Sequence, residues 1–116
     1  VNLHYQVNLK SLPKISETIS VTSYRIIQEC LTNISRHAKA KNVDIQIDYI
    51  KKNTSSAVID ITVKDDGVGF SKTHRDGFGL SGMRERINEI HGKINITSEA
   101  NRGVKLNIQL PITRKK

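Results

Sequence analysis

The chain has 116 residues, the size of one domain, and about 60–70% of its unfolded surface can be buried, enough for a real core. Nineteen Lys plus Arg against eleven Asp plus Glu give a formal charge of +8, which favours an anionic partner such as a nucleotide, nucleic acid or acidic protein. Hydrophobic residues make up 36%, no apolar run approaches the ~20 residues of a membrane span, and the single Cys cannot form an internal disulfide, so a soluble domain in a reducing cytosol is expected.

Val1, Leu3, Tyr5, Val7 and Leu9 alternate with mostly polar residues, the pattern of a strand broken before Pro13. From about Ser20 to Lys39, Tyr24, Ile27, Leu31, Ile34 and Ala38 recur at helical spacing and predict an amphipathic helix with this stripe in the core; Ser and Thr residues near its start can cap it. Cys30 on this helix reads as a small core residue rather than a nucleophile. Val43, Ile45, Ile47 and Tyr49 mark the next strand, and Lys51 to Ser56 the loop leading to a strand that ends at Asp65, an antiparallel hairpin. Phe70 to Gly79 is rich in Gly, Ser, Thr and charge and reads as a loop that stays mobile without ligand. Leu80, Met83, Ile87 and Ile90 predict a second helix with Gly92 as its C-terminal cap. Lys93 to Ser98 and Val104 to Leu110 form a last hairpin ending at Pro111. The order predicts a two-layer α/β sandwich, helices on one face of a mixed, mostly antiparallel sheet.

Asp65 and Asp66 follow a strand in which Ile59, Ile61 and Val63 share one parity. Side chains of a strand alternate between its faces, so Asp65 points toward the core and Asp66 toward solvent. A carboxylate aimed at apolar surroundings is costly unless a donor meets it, which suits reading a planar group such as an adenine amine. Gly67 and Gly69 let a ligand approach the backbone closely; an ordinary Asp-Gly turn accounts for the same residues.

On the first helix, Glu29, Asn33, Arg36 and His37 fall within an arc of about 100° opposite the Ile27/Leu31 stripe. A solvated face is one reading. The other is a ligand surface, in which a carboxylate, an amide oxygen, a guanidinium and an imidazole meet Mg²⁺, phosphate and ribose; Mg²⁺ needs few protein oxygens because it keeps waters and phosphate ligands. The four histidines lack zinc-ligand spacing. Gly77-Phe78-Gly79-Leu80 opens the second helix, whose N-terminal amides can receive an anion, while Arg84 and Arg86 read as exposed helix charges.

Taken together, Tyr24 to Ala40, Asp65-x-Gly67-x-Gly69 and Gly77-x-Gly79-Leu80-x-Gly82-Met83-x-Glu85-Arg86 resemble the N, G1 and G2 boxes of a sensor histidine kinase, of the subgroup that pairs with LuxR-type response regulators. The resemblance runs from about Leu12 to Pro111 and implies the Bergerat ATP-binding fold. It implies that Asn33 holds Mg²⁺, that Asp65 receives the adenine amine, that Gly67 and Gly69 shape the adenine pocket, and that Gly77, Gly79 and Leu80 lie near the phosphates. Arg36 and His37 would contact phosphate and ribose, and Glu29 would support the metal and acceptor geometry. Val104 departs from the family, which commonly has Thr after the glycine of the last hairpin.

None of His4, His37, His74 or His91 sits in a helical His-acid phosphoacceptor context. Residues 1–116 are therefore expected to be a single catalytic domain, monomeric by itself, that lacks the dimerisation domain. It would bind Mg-ATP and donate the γ-phosphoryl group to a histidine of that domain, with a response regulator downstream and no nucleic acid bound. The start at Val1, without initiator Met or signal segment, suggests excision from a longer protein, a sensor whose catalytic part is cytoplasmic and whose whole is membrane-associated. An anti-sigma-type serine kinase, a gyrase-like or chaperone-like ATPase, and a non-enzymatic basic binding module are the rival readings.

Overall fold

The computed structural model describes residues 2–10, 12–33, 41–54, 56–67, 80–99 and 103–113. Seven elements follow in order: β1 (Asn2–Asn8), α1 (Glu17–Asn33), β2 (Asn42–Lys51), β3 (Ser56–Asp65), α2 (Leu80–Glu89), β4 (Lys93–Glu99) and β5 (Gly103–Thr113). The strands form one sheet in the order β1-β2-β3-β5-β4. Only β1 runs parallel to its neighbour, β2; the other pairs are antiparallel, so the sheet is mixed and mostly antiparallel as expected.

Alternation sets the two faces. In β3, Ala57, Ile59, Ile61, Val63 and Asp65 are buried, and in β5, Val104, Leu106, Ile108, Leu110 and Ile112. Apart from Ala57 and Asp65, these side chains join Ile26 and Cys30 of α1 and Met83 and Ile87 of α2 in a single core cluster, which puts both helices on the same face of the sheet. The opposite face carries polar residues; there Asn107 Nδ2 donates to Asp60 Oδ1 and Thr62 Oγ1, both at 3.0 Å.

Three expectations need correction. The buried stripe of α1 is centred on Ile26 and Cys30, with Ile19, Ile27 and Leu31 packed against it, whereas Tyr24 is 65% exposed. Ile34 and Ala38, and the predicted helix beyond Asn33, lie outside the described residues. The helix also starts earlier than expected, because Ser16 Oγ accepts from Ile19 N at 3.2 Å and serves as the N-cap.

The second correction is at the end of α2. His91, not Gly92, takes the left-handed conformation, at φ 61°. Gly92 N donates to Ile87 O at 2.8 Å and His91 N to Asn88 O at 3.0 Å, the paired bonds of a Schellman motif with Gly92 one position beyond the left-handed residue. Gly92 is required for room: a Cβ there would lie 2.8 Å from the Gln109 carbonyl oxygen and 2.9 Å from Ile87 Cγ2.

Third, β5 continues through Pro111 to Thr113. Pairing with β4 ends at Gln109, so Pro111 falls where β5 is paired on one side only and a missing N–H is tolerated.

Candidate nucleotide site

The site is built from the end of β3. Asp65 keeps the inward parity of Ile61 and Val63 and is 4% exposed, the one buried charged residue among those described, while Asp66 is exposed. The parity argument is borne out for both. Donors meet the buried carboxylate as its burial demands: Gly67 N donates to Asp65 Oδ1 at 2.8 Å, and the Val104 backbone N–H donates to the same carboxylate. Desolvation is the larger influence and holds the Asp65 carboxyl above the usual carboxylate range; the two amides pull it down, and the neighbouring Asp66 charge pushes it up.

Gly103 is what lets β5 come this close. Its φ is +89°, and a Cβ there would run into the Asp65 carbonyl and lie 3.1 Å from Asp65 Oδ1. Sequence reasoning noted Gly103 only as a turn residue and Val104 as a missing hydroxyl. Instead the Val104 side chain is buried at 5% exposure and its backbone contributes the donor. A backbone donor carries no residue signature, so only strand register could have revealed it.

Asp66 was also missed beyond its outward direction. Its Oδ1 accepts from Lys41 N at 2.8 Å and Asn42 N at 2.9 Å, and its Oδ2 from Asn42 Nδ2 at 2.8 Å. Donation from the Asn42 backbone, then the Asn42 side chain, holds the Asp66 carboxyl below the usual range.

Of the other predicted residues, Glu29 is half-buried on α1 beside Cys30, Asn33 is the last residue of α1, and Leu80 is the first of α2. Arg36, His37, Gly69, Gly77 and Gly79 lie outside the described residues, as does the loop from Phe70 to Gly79. An open depression of about 550 Å³ is lined by His4, Asn42, Asp44, Lys64, Asp65 and Asp66. A larger one, about 780 Å³, lies against outer-face residues such as Gln6, Gln46, Thr62 and Lys105 and contains none of the predicted set. Among the described residues no three His, Cys, Asp or Glu side chains group to hold a metal, and no helix is long and apolar enough to cross a membrane.

Cys30 is fully buried, and burial, reinforced by the Glu29 charge beside it, pushes its thiol up to about 12. It is a core residue, as expected.

The family described as histidine kinase-, DNA gyrase B-, and HSP90-like ATPase matches residues 19–114. The chain is 34% identical over 102 residues to the signal transduction histidine-protein kinase/phosphatase DegS of Brevibacillus brevis, covering 86% of this chain and 25% of that protein. It is 40% identical over 93 residues to the sensor histidine kinase YdfH of Bacillus subtilis, covering 77% and 22%, and 32% identical over 116 residues to the oxygen sensor histidine kinase NreB of Staphylococcus carnosus, covering 97% and 32%. The chain thus spans a third or less of these relatives' length. Among solved structures it resembles the histidine kinase domain of the Erythrobacter litoralis EL346 blue-light activated histidine kinase, with a TM-score of 0.72 at 19% identity over 96% of this chain and 51% of that one. Full-length ShkA in complex with AMPPNP gives the same TM-score, 0.72, at 17% identity over 98% of this chain and 26% of that one.

Proposed function

Because this chain belongs to the histidine kinase-, DNA gyrase B-, and HSP90-like ATPases, we propose that it is the ATP-binding catalytic part of a sensor histidine kinase. It binds Mg-ATP and positions the γ-phosphoryl group for a histidine on a dimerisation domain of the same parent. A response regulator with a LuxR-type output receives the phosphate downstream, and the catalytic part works in the cytoplasm of a membrane-associated sensor. The observation that carries this reading is Asp65: a buried carboxylate, met by two backbone donors, at the helix-facing end of a strand in a chain of this family.

Asp65 accepts the exocyclic adenine amine, and the Gly67 amide fixes the carboxylate's orientation so that its other lone pairs face the base. Gly69 completes the adenine pocket. Asn33 supplies an amide oxygen to Mg²⁺, a fit with that ion's preference for a few protein oxygens alongside phosphate and water. The bound ion supplies charge neutralisation on the phosphate oxygens. Glu29, one turn before Asn33, supports the geometry of the metal and the acceptor. Arg36 and His37 contact phosphate and ribose, and Gly77, Gly79 and Leu80 bring the opening of α2 to the phosphates. One P–O bond to the β-phosphate breaks as one P–N bond forms on the acceptor imidazole, a reaction governed by positioning and charge stabilisation, so the chain without its acceptor turns over slowly.

Titration calorimetry with ATP, with and without Mg²⁺, tests the reading. Asp65→Asn and Asn33→Ala should each weaken binding at least ~10-fold, on the scale of a lost charge-assisted hydrogen bond or metal ligand. Unchanged affinity in both variants would overturn it. A histidine-bearing dimerisation domain supplied in trans should then acquire acid-labile, base-stable phosphate; acid-stable phosphate on a serine would instead point to a serine kinase.

A further inference from the structure

We infer that β1 is a self-pairing edge: a second copy of this chain docks on it antiparallel, about a two-fold axis through Tyr5, so that two sheets join into one. The pairing stands apart from the nucleotide reading, and it replaces the monomer expected from the sequence with a weak, reversible dimer.

Among the described residues β1 lies at the edge of the sheet, with β2 as its one strand neighbour. In that parallel pair Leu3, Tyr5 and Val7 stand opposite Val43, Ile45 and Ile47, on the helix-bearing face. Val43 and Ile45 are buried there, yet Leu3, Tyr5 and Val7 are 49%, 69% and 53% exposed, an apolar row left bare. Their backbone groups are bare as well. Asn2 N donates to Lys41 O at 2.8 Å, so the amides and carbonyls of Asn2, His4, Gln6 and Asn8 face β2, and alternation turns those of Leu3, Tyr5 and Val7 to the free edge. Sheet edges are ordinarily guarded by lysine, proline or a bulge. β1 has none of these: its register with β2 runs unbroken from Asn2 to Asn8, and it contains no Lys, Arg, Asp, Glu or Pro. The other edge differs, since β4 carries Lys93 and Glu99 and packs Ile94 and Ile96 against the core.

What selects a second copy over another strand is the order of residues. Asn2-Leu3-His4-Tyr5-Gln6-Val7-Asn8 reads nearly alike in both directions about Tyr5: an amide at each end, then a branched aliphatic, then a polar imidazole or amide, then the tyrosine. An antiparallel copy centred there sets Asn2 against Asn8, Leu3 against Val7, His4 against Gln6, and Tyr5 against the Tyr5 of the copy. The same centre suits the backbone. Leu3, Tyr5 and Val7 are the residues whose groups face outward, so Tyr5 with Tyr5 and Leu3 with Val7 become hydrogen-bonded pairs, each exchanging both N–H···O bonds. The bare apolar row gains its own copy alongside, and aliphatic and aromatic cross-strand neighbours of this kind stabilise sheets. No charged side chain meets a like charge in the strand pair, although each chain carries +8 overall. Such an interface is isologous and closes at two copies. A single pair of 7-residue strands is small beside the ~1,200–2,000 Å² of stable interfaces, so the dimer dissociates on dilution.

Sedimentation velocity over ~10 µM to ~1 mM protein, in ~0.15 M salt to screen the charge on each copy, tests the pairing. The average mass should rise from one chain toward two with concentration. Tyr5→Lys, which sets two cations face to face across the axis, should raise the dissociation constant at least ~10-fold and leave the melting temperature unchanged. Cysteine cross-linking reads the register. Under mild oxidation Tyr5→Cys should join to its own copy, because the Cα atoms of hydrogen-bonded partners lie ~5.5 Å apart, within disulfide reach. Leu3→Cys should not join to itself, but should join to Val7→Cys when the two variants are mixed. Cys30 is fully buried and should stay out of the link. A single-chain mass throughout the range overturns the inference, as does Leu3→Cys joining to itself as readily as Tyr5→Cys, or a folded Tyr5→Lys that associates undiminished. Should Tyr5→Lys fail to fold, the mass of the unaltered chain and the cysteine variants decide alone.

Discussion

Asp65 and Asp66 share a peptide bond and respond to pH in opposite directions. Asp65 has a raised carboxyl, so the folded state holds its proton more tightly than the unfolded chain does; its contribution to stability is present below the unfolded value and lost as pH rises through the folded one. At neutral pH its ionised form is a cost to the fold. Asp65→Asn should therefore melt no lower than the unaltered chain at pH 7, while the unaltered chain gains on the variant as pH falls toward the unfolded value near ~3.9. A large loss of melting temperature at pH 7 would contradict this. Asp66 is the reverse case: its lowered carboxyl stabilises the fold above the unfolded value, and that contribution fades as pH drops through the folded one. Asp66→Asn should melt lower than the unaltered chain at pH 7, with the gap closing in acid. Gly103→Ala tests the same corner sterically. With φ at +89° and the Asp65 carbonyl where a Cβ would sit, it should cost at least ~1–2 kcal/mol in denaturant unfolding and weaken ATP binding, because the carboxylate proposed to meet the purine moves with its backbone.

At the scale of elements, the end of α2 carries the clearest strain. His91 holds a left-handed conformation that a glycine would adopt freely, so His91→Gly should stabilise by about 0.5–1 kcal/mol. Gly92→Ala should destabilise by about 1–3 kcal/mol in urea unfolding, since the added methyl meets backbone on one side and Ile87 on the other. The sequence pointed to the right turn but the wrong residue, because both His91 and Gly92 stand where a helix-ending bend is needed and only the bond pattern separates them. Strands were legible for a physical reason: each has one buried face, so a period of two fixes which residues turn inward, and Asp65 followed from Ile59, Ile61 and Val63. The helix phase was not. Ile19, Val21, Tyr24, Ile26, Ile27, Cys30 and Leu31 leave α1 apolar around much of its girth, so periodicity alone cannot choose between a stripe through Tyr24 and one through Ile26 and Cys30. Packing on the sheet chooses. Contacts between strands distant in sequence, such as Asp66 with Asn42 or Gly103 with Asp65, depend on register and had no local signal.

For the molecule as a whole, β3 and β5 form the spine, with fully buried Ile61 and Ile108 paired across them beneath both helices. Asp65 sits at one end of that spine, so nucleotide bound there, as proposed, would be linked to global unfolding. Cys30 offers a reporter of that linkage from inside the core. Its thiol is fully buried and burial pushes it up to about 12, so a thiol reagent must wait for the chain to open. When reclosing outpaces labelling, the rate follows the open population. A ligand at 100 times its Kd that binds only the folded chain stabilises it by ~2.7 kcal/mol and so lowers that population about 100-fold. Labelling of Cys30 should slow by about this factor with Mg-ATP at that concentration, and by no more than about 10-fold for Asp65→Asn at the same concentration, given its weaker binding. A much smaller slowing in the unaltered chain, at the same occupancy, would mean that α1 opens from the sheet without releasing the nucleotide, and the spine and the site would not be one cooperative unit.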